Sequence, residues 1–84
     1  MMFAVEVLVT LKPALADPRG KAVESALPTL GWTNVSGVRV GKHIRLEIDA
    51  GSEDLARDQA EQIAERLLSN PVIEESRVVE VRPA

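Results

Sequence analysis

Val38-Arg39-Val40-Gly41-Lys42-His43-Ile44-Arg45-Leu46-Glu47-Ile48 is the stretch whose reading decides the fold. Ile44, Leu46 and Ile48 alternate with His43, Arg45 and Glu47. A period of two gives one buried and one wet face, as in a half-buried strand. Val38 and Val40 flank Arg39 in the same manner, so the stretch predicts a hairpin turning near Gly41-Lys42. A loop of only those two residues would set Val40 opposite His43 and mismatch the apolar faces. A three-residue loop, Gly41 to His43, or a bulge, pairs Val40 with Ile44 and Val38 with Leu46. Either register sets Arg39 beside Arg45 on the outward face. Like charges so placed are either splayed into solvent or neutralised by a partner carboxylate or an anion.

Outward from the hairpin, the other elements follow. Phe3, Val5, Val7, Val9 and Leu11 form one face of a first strand, with Leu8 on the nominally wet side. Pro13 ends it, since proline cannot donate to a ladder. Asp17-Pro18-Arg19-Gly20 reads as a helix start, with Asp17 as cap and Pro18 in the first turn. Val23, Ala26, Leu27 and Leu30 share one helical face; Pro28 interrupts it and predicts a kink or loose last turn, with Gly31 as terminator. Gly20 beside Arg19 serves either close packing or a phosphate, and no glycine-rich fingerprint accompanies it. Trp32 either caps the core or anchors a partner.

Ser52 caps a second helix running to about Leu68, with Ala56, Ala60, Ile63, Ala64 and Leu67 as its apolar face and Ser69-Asn70-Pro71 as its stop. In the last strand, Glu74 to Arg82, Val79 and Val81 are placed inward and Val78 outward. The order strand, helix, strand, strand, helix, strand predicts an α+β, ferredoxin-like β-α-β-β-α-β domain over residues 1–84. Its four-stranded antiparallel sheet carries both helices on one face. Leu8, Arg39, Arg45 and Val78 are placed on the open face.

Composition narrows the chemistry. An 84-residue chain builds one small core, for which self-association is a reasonable support. There is no cysteine, which removes thiol nucleophiles and thiolate metal sites and suits a cytosolic protein. The Met1–Glu6 start reads as a strand and not as a signal peptide, and no apolar run reaches membrane-span length. A net charge of −3 argues against general attraction to nucleic acid or anionic lipid. His43 is the sole imidazole, expected solvated at the corner, and no acid–base pair or nucleophile set stands out. Two classes survive: a noncatalytic subunit that assembles through its open sheet face, and a regulatory module binding a small ligand between paired domains.

The chain also resembles the PurS family, the small subunits of phosphoribosylformylglycinamidine (FGAM) synthase. Leu11-Lys12, Leu15-Ala16-Asp17-Pro18-Arg19-Gly20 with Ala22-Val23, Val38-Arg39-Val40-Gly41-Lys42, and Leu67-Leu68-Ser69-Asn70-Pro71-Val72-Ile73-Glu74 carry the resemblance in order. It implies a ferredoxin-like, self-associating protein, dimer or tetramer, without an active site or cofactor of its own. It implies a cytoplasmic role bridging two larger partners of purine biosynthesis: PurQ, which releases ammonia from glutamine, and PurL, which uses ammonia with ATP and magnesium. The chemistry of the residues, which the resemblance does not fix one by one, assigns Asp17, Pro18, Gly20, Gly41, Asn70 and Pro71 to shaping the chain. Leu8, Trp32, Arg39, Lys42, Arg45, Glu74 and Val78 are the candidate subunit contacts.

Overall fold

The computed structural model describes all 84 residues. Three strands, β1 (Met2–Leu11), β2 (Gly41–Asp49) and β3 (Glu74–Pro83), form one antiparallel sheet in the order β2-β1-β3. Two helices, α1 (Pro18–Ala26) and α2 (Glu53–Ile63), complete the α+β chain.

The four-stranded ferredoxin-like sheet is therefore not formed. Val38-Arg39-Val40 is not a strand, and Gly41, Lys42 and His43 are not a corner but the first residues of β2, opposite Thr10, Val9 and Leu8. The cause is local. The Val40 N–H donates to Asp17 Oδ2 at 2.7 Å, so the segment is tied to the start of α1 instead of to a ladder. Arg39 and Arg45 are consequently not cross-strand neighbours. Arg39 donates to the Lys12 carbonyl (3.1 Å), while Arg45 lies opposite Glu6.

The core lies on one face of the sheet. Phe3, Val5, Val7 and Val9 are buried as their alternation requires, joined by Ile48 and Val81. Ala56, Ala60 and Ala64, spaced by four, bring α2 against this face, and their lack of bulk lets the helix sit close. Ser52 accepts from the Leu55 N–H as a cap. The last turn widens to a π-helix over Ala64–Leu68, with the Ser69 N–H on the Ala64 carbonyl. A π turn holds more residues than an α turn. The inward position passes from Leu67 to Leu68, and Leu67 is left 79% exposed.

The last strand also differs in parity. A bulge places one extra residue, Val79, between the pairs Val7–Val78 and Glu6–Glu80. Val78 thus faces the core and Val79 is exposed, the reverse of the sequence expectation; Val81 is buried as expected.

Nor do both helices cover the sheet. Residues 12–40 leave the sheet after Leu11 and return at Gly41 as an arm. Within it α1 packs mainly on the following 3-10 turn, Pro28–Leu30. In place of the kink or loose last turn expected at Pro28, the α-helix stops at Ala26 and a 3-10 turn follows; Gly31 closes that turn at φ 105° with its N–H on the Pro28 carbonyl. The arm makes the protomer long and thin, 51 × 27 × 14 Å.

Candidate functional site

The motif residues, far apart in sequence, converge where the arm leaves the sheet. A groove of about 290 Å³ is lined there by the ends of β1 and β2, by Asp17, Pro18 and Arg19, and by Lys42 and Glu74. Asp17 organises it. One carboxylate oxygen accepts from the Gly20 N–H (2.9 Å) and the other from the Val40 N–H (2.7 Å), so a single side chain caps α1 and clips the returning arm to it. The Gly20 and Val40 N–H groups, in that order, hold the Asp17 carboxyl below the usual aspartate range against the opposing effect of burial; the Arg39 charge and the Arg19 N–H add to the shift.

Gly20 is present because the arm passes against it. A Cβ there would lie 2.0 Å from the Val38 carbonyl oxygen. Close packing, not a phosphate cradle, accounts for this glycine, and Asp17 already occupies the helix start. Gly41 is similarly confined: a Cβ would meet the Val9 carbonyl oxygen at 2.7 Å and Thr10 Cγ2 at 2.8 Å. On the far wall Lys42 reaches Glu74 (3.7 Å) and the Leu68 carbonyl (3.4 Å). Glu74 accepts from the Asn70 N–H (2.7 Å), and the Asn70 side chain accepts from the Val72 N–H (3.1 Å), so Asn70-Pro71 shapes the turn into β3.

A second cluster occupies the sheet face opposite α2. Glu6 sits at its centre, with Arg82 Nη1 at 2.9 Å, His43 Nε2 at 3.0 Å and Arg45 Nε at 4.0 Å. Arg82 also bridges to Glu80 at 2.9 Å. A hydrogen bond with Glu80 and one from Arg82 lower the Glu6 pKa, and the charges of Arg82 and His43 reinforce them. This is a neutralised surface network and not the free basic spot anticipated at Arg39 and Arg45. Sequence reasoning overlooked Glu6. The available signal was its place as the only acid among Ala4, Glu6, Leu8 and Thr10, the β1 residues on that face.

The remaining candidates separate. Leu8 and Arg45 share the open face; Val78 does not, and its contacts are with the core. Trp32 does not cap the core: it is 54% exposed on the arm. His43 lies within β2 and not at a turn. No group of three or more potential metal ligands comes together, and no helix is long and apolar enough to cross a membrane.

This arrangement can hold surfaces in place; it brings no nucleophile and base together. Comparison with known proteins agrees with its motif content. Residues 4–82 match the family model described as PurS, phosphoribosylformylglycinamidine (FGAM) synthase. The chain is 46% identical over 68 residues to the PurS subunit of Synechocystis sp., covering 81% of this chain and 68% of that protein. It is 40% identical to the PurS subunit of Bacillus subtilis, covering 90% and 89%. Methanocaldococcus jannaschii PurS superposes with a TM-score of 0.83 at 31% identity, covering 100% and 99%. A chain of the PurLQS structure from Thermotoga maritima does so with a TM-score of 0.83 at 33% identity, again covering 100% and 99%. The chain belongs to the PurS family, the noncatalytic small subunits of FGAM synthase.

Proposed function

We propose that this chain bridges a PurL synthetase and a PurQ glutaminase so that ammonia released by one reaches the other. The observation that carries this reading is its end-to-end likeness to a chain of the PurLQS structure from Thermotoga maritima. The physical need is simple. Ammonia released into neutral water is largely protonated and no longer nucleophilic, so a short, sheltered path between the two larger subunits raises its yield. The residues of this chain supply geometry to that path. ATP and magnesium belong to the PurL partner, and the assembly works in the cytoplasm.

The protomer also acts as a homodimer or tetramer. Its radius of gyration is 16.1 Å, against about 12 Å for a compact domain of this length. Val23, Leu30 and Trp32 are exposed along the arm, and a second chain is the natural cover for such surface. Trp32, Arg39 and Lys42, on or beside the arm, and Arg45 and Leu8, on the open face, are the contacts favoured for partner subunits; Glu74 positions Lys42.

The test is reconstitution. Glutamine-dependent FGAM formation is measured from cognate PurL and PurQ with and without this chain. A strong dependence on it is expected; equal rates overturn the proposal.

A further inference from the structure

We propose that the free edge of β3 is a self-recognition edge, pairing antiparallel with β3 of a second copy in one register. The inference rests on the homo-oligomer reading above and adds a second contact surface to the arm. β1 is the central strand, so the outer edge of β3 has no neighbour. An unpaired edge is a template for another strand.

Charge selects the register. Glu75, Arg77, Glu80 and Arg82 all face away from α2, opposite Thr10, Leu8, Glu6 and Ala4. In a regular strand Arg77 and Glu80, three apart, would point to opposite faces. The bulge at Val79 brings them onto one face. An antiparallel two-fold between Val78 and Val79 then places Arg77 against Glu80 of the second copy, and Glu75 against its Arg82. Both pairs occur twice by symmetry, giving four opposite-charge pairs and none of like charge. Each strand carries its extra residue at the two-fold, so the register is kept on both sides. Val79, 44% exposed, lies at the centre.

The other edge has fewer free charges. On β2, Lys42 is committed to Glu74, His43 and Arg45 to Glu6, and Asp49 to the chain's amino terminus, which leaves Glu47 alone without an ion pair. On β3, Glu75 and Arg77 make no ion pair within the chain, while Glu80 and Arg82 pair with each other and Arg82 with Glu6, contacts they would share with the second copy.

Arg77→Glu and Glu80→Arg test the register, measured by sedimentation equilibrium on the full chain. Each variant alone sets like charges against each other twice and should weaken self-association about tenfold or more. Mixed one to one, the two variants regain all four opposite pairs, and association should return to within about threefold of wild type. Glu75→Arg, at an exposed residue with no ion pair of its own, should weaken association like the first two. The proposal is overturned if either Arg77→Glu or Glu75→Arg self-associates as wild type does, or if the mixture is no stronger than its parts. Wild type that sediments as a monomer overturns the homo-oligomer reading itself. Wild type that associates while the variants show no loss overturns only the edge.

Discussion

Replacing Gly20 by alanine tests how the arm is held. In an unobstructed helix this change stabilises by about 0.5–1 kcal/mol, because glycine loses more backbone freedom on folding. Here the new Cβ would lie 2.0 Å from the Val38 carbonyl oxygen and 2.8 Å from its carbon. The obstacle is backbone and cannot rotate aside. About 1 Å of separation is needed to bring the closer contact to 3.0 Å, the near limit for a real Cβ. A shift of that size lengthens the 2.7 Å bond from the Val40 N–H to Asp17 and loosens the clip. Overpacking of this kind costs about 1–3 kcal/mol. Against the helix gain, the net loss is about 0–2.5 kcal/mol, or up to roughly 20 °C in Tm for a domain of this size. Thermal unfolding at fixed protomer concentration measures it, with hydrogen exchange at the Val40 amide as the local readout. Gly51→Ala is the control. Its Cβ would sit 3.6 Å from Leu55 Cδ1, an ordinary contact, and stability should stay within about 0.5 kcal/mol. A Gly20→Ala protein as stable as wild type, with Val40 equally protected, would refute the reasoning.

Three further outcomes follow from the same geometry. Asp17 has a folded pKa held below its ordinary 3.8, so its stabilising effect is complete above that value and is lost as pH falls through the lowered one. The Tm advantage of wild type over Asp17→Asn should therefore be flat from neutral pH to about pH 5 and shrink below about pH 4. Ala60→Leu drives bulk between α2 and the sheet at a fully buried position; it should cost about 1–3 kcal/mol in chemical denaturation, whereas an unchanged midpoint would contradict the close approach of α2. Trp32→Ala should leave protomer stability within about 0.5 kcal/mol, because the ring is exposed, yet weaken capture of PurL or PurQ in a pull-down.

The strand and helix segments with long periodic patterns were legible in the sequence. β1 alternates over its whole length, and Ser52, Asp17, Pro28 and Gly31 each act at the position their chemistry indicates. The expected hairpin failed where the pattern was shortest. Val38-Arg39-Val40 offers only three alternating residues, and the hydrogen bond its Val40 N–H donates to a distant aspartate outweighs that local preference. No local pattern announces a carboxylate 23 residues away. The inward placement of Val78 was illegible for a related reason: one bulged residue reverses parity, and Val78-Val79 reads equally well in either sense. Leu67 and Leu68 differ likewise through a single π turn. At the site, the motif residues could be named from sequence but not their convergence. Gly20 and Gly41 both mark backbone approaches that only the folded chain reveals.

The most direct test of the central claim compares two nitrogen sources. FGAM synthesis by PurL and PurQ is driven by glutamine or, bypassing the glutaminase, by a high concentration of ammonium, each with and without this chain. A subunit that supplies geometry predicts that the glutamine-driven rate collapses without it while the ammonium-driven rate of PurL persists. Equal loss of both rates would place this chain in the synthetase chemistry itself and contradict the account.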